Sequence, residues 1–213
     1  MKKFFLLALA LFSTATLLGQ RRFQESNAIG IMGGVNYTTL ETSNFSTKPE
    51  LGWNGGLQVR GNFYNDFDMV YAIQFSGQRF SVATLNGAMM VEDVTYTISG
   101  GQVSLMLSYK IVENYLSVEA GPVFQFNGKM ALDERHEQNT IAGTTLKAVD
   151  IVDINPFNLH AAVGFTAGVK HVRLSVQYLY GINNVLNNLN GDNLGYDFKG
   201  RLGIVSGNIV VYL

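Results

Sequence analysis

The chain has 213 residues and a net charge of −1, and Asp, Glu, Lys and Arg make up only 15% of it. A soluble domain carries roughly a quarter charged residues, so this sequence has too few to coat a water-facing surface. Near-neutral charge removes the electrostatic basis for nucleic-acid binding, and the lack of cysteine excludes a disulfide or a lipid-modified thiol.

Residues 1–19 read as a secretory signal peptide. Lys2 and Lys3 precede an apolar run over 4–18, with cleavage expected between Gly19 and Gln20. That run is shorter than the ~20 residues a spanning helix needs. Residues 20–213 are read as a single domain, because eight stretches within them alternate with a period of two. The first, 29–40, sets Ile31, Val35 and Tyr37 against Met32, Gly34 and Asn36. The second, 53–63, opposes Trp53, Leu57 and Val59 to Asn54, Gln58 and Arg60. The third, 69–80, opposes Tyr71, Ile73 and Phe75 to Gln74, Ser76 and Gln78. The fourth ends near Lys110, with Val103, Leu105 and Leu107 against Gln102, Ser104 and Ser108. The fifth, 115–127, contains Pro122, which cannot donate to a ladder and predicts a local irregularity. The sixth and seventh form a hairpin turning at Lys170-His171, whose register pairs Ala167 with Leu174, Phe165 with Val176 and Val163 with Tyr178. The eighth, 200–213, is apolar on both faces.

The connections at 41–52, 81–95, 128–154 and 184–199 are long, and those between them are short. In an up-and-down meander this puts long loops at one end and tight turns at the other, as in outer-membrane barrels with short periplasmic turns. The polar face of the stretches is mostly Gly, Ser, Asn, Gln and Thr, which suits a narrow lumen filled by side chains better than a water-facing surface. The opposite face is rich in Phe, Tyr, Leu, Val and Ile, as contact with acyl chains requires. An open edge in lipid would leave backbone groups unpaired at several kcal/mol each, so the eighth strand is expected to close on the first. The expected fold is all-β: an eight-stranded antiparallel up-and-down transmembrane β-barrel. Its expected place is the outer membrane, integral, as a monomer with its termini in the periplasm. Its expected partners are outer-membrane lipid and, during insertion, the barrel-assembly machinery. Aromatics are expected at both interfaces: Phe63, Tyr109, Tyr115 and Tyr212 on the turn side, and Tyr37, Trp53, Phe126, Phe157 and Tyr180 on the loop side.

Four segments carry a family likeness. A leader ending in Gln20, the run GIMGGVNYT at 30–38, AGPVF at 120–124 and QYLYGINNV at 177–185 resemble the PorT-like family of small outer-membrane β-barrel proteins. The likeness spans 29–213. The end Val211-Tyr212-Leu213 resembles an outer-membrane insertion signal, although such signals more often finish in an aromatic residue. The resemblance implies a barrel whose family mostly lacks an assigned biochemical activity and whose namesake serves protein secretion.

Chemistry is sparse. Of the three histidines, His171 falls in a turn and His160 faces the lumen, where Ser175 or Glu119 is a conceivable neighbour. Arg60, Glu119, His160 and Arg173 form the expected lumen charge cluster, with Glu119 paired to Arg60 or Arg173 because unpaired buried charges are costly. The run 133–137, Asp-Glu-Arg-His-Glu, has no calcium-loop or zinc spacing, so neither a metal nor a cofactor is expected. These features point to a non-enzymatic membrane protein whose external loops make surface contacts or support the envelope. A small-solute pore, a part in a secretion assembly, and a lipid-modifying enzyme are the alternatives.

Overall fold

The computed structural model describes residues 27–113, 115–191 and 194–213. The leader at 1–19 lies outside the described residues. Among the described residues nine strands form: β1 (Ala28–Thr42), β2 (Thr47–Tyr64), β3 (Phe67–Leu85), β4 (Val91–Val112), β5 (Leu116–Asn127), β6 (Thr140–Ile141), β7 (Phe157–Gly168), β8 (Val172–Gly181) and β9 (Gly200–Tyr212). The two-residue β6 is an appendage on the end of β3, and the other eight close a ring. Every strand of the ring is antiparallel to its neighbours. β9 pairs with β1 from Gly30–Tyr212 to Thr42–Gly200, so no edge is exposed within the barrel. The β7–β8 register pairs Ala167 with Leu174, Phe165 with Val176 and Val163 with Tyr178, as the alternation required. At Gly121-Pro122 the β4–β5 ladder skips and resumes in the same register, while pairing with β7 runs through.

Side chains sort by parity. Ile31, Val35, Leu57, Ile73, Phe75, Phe165 and Ile209 point outward and are exposed, while Asn36, Gln58, Gln74, Gln102, Glu119 and Ser175 are buried inside. Among the described residues, no Asp, Glu, Lys or Arg faces outward on the ring between Leu51 and Phe63 of β2, or from Phe67 to Gly77 of β3. The sheet curves inward so tightly that a Cβ on inward-facing Gly34 or Gly56 would lie 2.1 Å from a carbonyl oxygen of the adjacent strand, that of Gly207 or Ile73 respectively. Glycine is required at both by close approach.

Two expected loops are largely strand. β3 and β4 run on together past Gly77–Ser99 to Leu85–Val91, leaving 86–90 as the connection where 81–95 was expected. β1 and β2 likewise leave only 43–46. The reason is an inversion of polarity. Below Gly77 the outward residues of β3 are Tyr71, Ile73 and Phe75; above it Arg79 faces outward, while Phe80 and Val82 are fully buried inside. On β4 the buried residues change from Gln102 to Ile98, Tyr96 and Val94. The sheet therefore leaves lipid near Gly77, and above that level it is built as a soluble protein is, apolar inside and polar outside. From Gly77 to Leu85, at ~3.3 Å per residue, up to roughly 25 Å of strand stands above the bilayer.

This boundary makes a testable contrast. Ile73→Arg, placing a charge mid-band, is expected to lower the stability of the refolded barrel by about 2–4 kcal/mol. Val91→Arg, on the same hairpin above the boundary, is expected to change it by less than about 0.5 kcal/mol. Equilibrium unfolding of both variants in lipid vesicles measures the difference.

Candidate functional site

Three layers fill the barrel from bottom to top. The lowest is charged. Arg60 of β2 reaches across to Glu119 of β5, and it also donates to Asp68 at 3.2 Å and to the Ser108 hydroxyl at 2.8 Å. Asp68 takes a second cation, Lys110, at 2.7 Å. Tyr212 lies over this group, 3.3 Å from Arg60 Nε and accepting from Gln58 at 2.5 Å. Of the two cations set against Glu119 in the sequence, the one it meets is Arg60. Arg173 lines the same floor with no hydrogen bond or ion pair among the described residues.

Tyr212 corrects one expectation. Expected at the turn-side interface, it is 4% exposed and faces the lumen, because β9 alternates Val211 outward and Tyr212 inward. The remaining expected aromatics, Tyr37, Trp53, Phe63, Tyr109, Tyr115, Phe126, Phe157 and Tyr180, are all exposed. Arg201 holds Tyr180 from above, donating to its hydroxyl at 2.8 Å with the guanidinium 5.9 Å from the ring centre.

The middle layer is amide. Gln78 and Gln125 exchange hydrogen bonds at 2.9 and 3.0 Å, Gln102 donates to Gln125 at 2.7 Å, and Gln74 donates to Gln102. Asn54 donates to Ser206 at 2.8 Å across the β1–β9 side. The void among these side chains is ≈ 10 Å³, about the least that can hold one water. His160 is fully buried near this level, and among the described residues neither ring nitrogen has a hydrogen-bond partner. It bonds to neither Ser175 nor Glu119, so no Ser–His–acid arrangement is assembled there.

The top layer is an apolar cap. Leu40 of β1, Phe80 and Val82 of β3, Tyr96 and Ile98 of β4, and Leu202 and Ile204 of β9 point inward. The two long loops, 128–156 and 182–199, fold onto them with Ile141, Leu146, Ile151, Val185, Leu186, Leu189 and Phe198, all buried. Phe80 and Tyr96 stack at 5.8 Å, and the Tyr96 hydroxyl donates to Ala148 O at 2.8 Å. The asparagines of 183–190 explain their own abundance. Asn184 accepts from Leu186 N and Gly200 N and donates to Phe198 O; Asn190 clasps Phe198 N and O; Asn188 donates to Ile154 O at 3.2 Å. Their amides satisfy loop backbone that would otherwise be buried unpaired.

The acidic run in the first long loop is tied down by its own residues and by Glu92 of β4, whose carboxylate lies 3.5 Å from His136 Nδ1. Asp133 caps a short 3-10 turn by accepting from Arg135 N at 3.0 Å, and it grips the Arg135 guanidinium at 2.6 to 3.2 Å. These bonds hold the Asp133 carboxyl well below the usual carboxylate range. Among the described residues no group of three or more His, Asp or Glu could hold a metal ion.

A closed ring of eight antiparallel strands, apolar outside and polar within, is the architecture of small outer-membrane barrels. The sequence matches the model of the outer membrane protein beta-barrel domain over residues 20–187, and the chain belongs to that family. Its fold is similar to that of Neisserial surface protein A, with a TM-score of 0.52 at 14% identity over 88% of this chain and 99% of that one. It is also similar to Ail, the attachment invasion locus protein of Yersinia pestis, solved in complex with the heparin analogue sucrose octasulfate. That match has a TM-score of 0.50 at 11% identity, over 88% of this chain and 99% of that one. No curated protein matches the sequence. The chain is thus an integral outer-membrane β-barrel protein.

Proposed function

We propose that this barrel is a non-enzymatic, non-conducting outer-membrane protein that works through its external surface. The observation that carries this reading is the closed lumen. An ionic floor, an amide layer with a void of ≈ 10 Å³ and an apolar cap are stacked along a single path. A small-solute pore needs continuous water, and the filled amide layer and the apolar cap leave no room for it.

The external part is solid, with the features of a contact surface. The β3–β4 hairpin ends in Met89, Met90 and Val91, which are 78%, 62% and 71% exposed. Asn86 pins this turn by accepting from Ala88 N and Met90 N, and Met89 sits at φ 61, a backbone region that non-glycine residues seldom occupy. A fixed turn that holds thioether side chains in water suits adaptable apolar contact. The protein is a monomer in this reading, its outward aromatics forming two belts at the headgroups, its lipid partner the outer membrane and its insertion assisted by the barrel-assembly machinery. No catalytic group is assigned.

Planar-bilayer recording of the purified barrel tests the proposal. No steady conductance above the lipid background is expected, and long-lived open channels would overturn it.

A further inference from the structure

Below the ionic layer the barrel opens on its short-turn, periplasmic side into a cavity of ≈ 280 Å³, bounded by Arg60, Asp68, Lys110, Lys170, His171 and Arg173 among others. The direct ion pairs at this floor leave one buried cation over. Asp68 is shared by Arg60 and Lys110, and Glu119 is taken by Arg60. Arg173 is 7% exposed, its Nε is buried without a partner, and among the described residues it has no ion pair. The acids at the rim, Glu113 and the chain-terminal carboxylate of Leu213, form no ion pair with it. A buried guanidinium without a direct ion pair is costly, and its planar fork fits the oxygens of a tetrahedral or planar oxyanion. Lys170 and His171, both exposed at the mouth, add positive charge or donors on the approach.

We infer that this cavity binds the phosphate group of a small water-soluble periplasmic molecule, with Arg173 as its fork and Lys170 as a second cation. The mouth opens toward water at the turn side, while the outward residues at that level, Val169, Val172 and Tyr109, are apolar and belong to the lipid face. The source is therefore the periplasm rather than a lipid headgroup. This site is separate from the external surface on which the proposed function rests, so either can fail alone.

Inorganic phosphate is the probe, titrated calorimetrically at low salt into the full chain in phosphatidylcholine nanodiscs. Saturable single-site binding is expected. Arg173→Gln is expected to weaken it at least tenfold, and Lys170→Ala several-fold. Because Arg173→Gln removes an unpaired buried charge, the variant is expected to melt no lower than the unsubstituted barrel. Absence of saturable binding, or equal binding in Arg173→Gln, would overturn the site. A lower melting point with unchanged binding would assign Arg173 to the barrel's own structure instead. Exchanging phosphatidylcholine for phosphatidylglycerol is expected to leave the affinity unchanged, and a fall would place the phosphate on lipid and overturn the soluble source.

Discussion

Replacing Arg60 with alanine is expected to destabilise the barrel by about 3–5 kcal/mol, the usual cost of removing one partner of a buried ion pair. Arg60 is 4% exposed and is the only group bridging Asp68 of β3, Ser108 of β4 and Glu119 of β5 among the described residues. Without it Glu119, 2% exposed, keeps only Gln177 at 3.4 Å and the Ser108 hydroxyl at 3.3 Å. Asp68 retains Lys110, so the loss falls on Glu119. The companion variant separates charge from shape. Arg60→Met with Glu119→Leu removes both charges and is expected to recover most of the stability, since apolar replacement of a whole buried pair is often neutral. Urea unfolding followed by intrinsic fluorescence measures all three proteins. An Arg60→Ala barrel of unchanged midpoint would mean that water reaches this floor freely and that the lumen is not closed.

The second large effect is expected in the cap. Phe198→Ala should cost about 3–5 kcal/mol, the range for emptying a fully buried aromatic position. Phe198 is unexposed, its ring lies 5.9 Å from that of Tyr196, and its backbone is clasped by Asn184 and Asn190. The loss should be local. Strands below Gly77 keep their ladders, while the cap loses one of the buried residues that pack loops 128–156 and 182–199 onto the barrel mouth. External protease added to whole cells is expected to cut the variant within those loops and to leave the unsubstituted protein intact. Equal resistance of the two would show that the cap holds without Phe198.

What the sequence conveyed was parity, and parity was enough for most of the barrel. The β7–β8 register and the outward face follow from alternation, because a one-residue slip would turn every side chain over, and the closure of β9 onto β1 follows from the cost of an open edge in lipid. It was less informative where polarity inverts. Above Gly77 the apolar residues of β3 move from odd positions, Ile73 and Phe75, to even ones, Phe80 and Val82. Read for one greasy parity, the strand stops; read for alternation alone, it continues to Leu85. The same change blurred β9, whose inward Leu202 and Ile204 belong to the cap while Val205 and Ile209 face lipid. Tyr212 follows the same logic: an aromatic near a strand end reads as an interface residue, but its parity puts it beside Arg60.

The floor was partly legible. Four polar or charged inward positions, Arg60, Glu119, His160 and Arg173, stood out against a neutral lumen. Their pairing depended on depth across the barrel, which strand stagger sets and local sequence does not. Asp68 and Lys110, which complete the floor, lie at the ends of β3 and β4 and read in the sequence as ordinary turn charges. The cap was not legible at all, because its Asn-rich loop has the composition of a turn and its contacts join segments far apart in the chain.

A nitroxide scan along β3, from Met69 to Leu85 in lipid, tests the central claim most directly. Labels at Tyr71, Ile73 and Phe75 should collide with oxygen dissolved in the bilayer, labels at the even positions between them should be immobile, and beyond Gly77 the outward labels should meet a water-soluble relaxing agent. Outward positions that meet the aqueous agent along the whole strand would contradict the account, since the apolar face would then not be the one that meets the membrane.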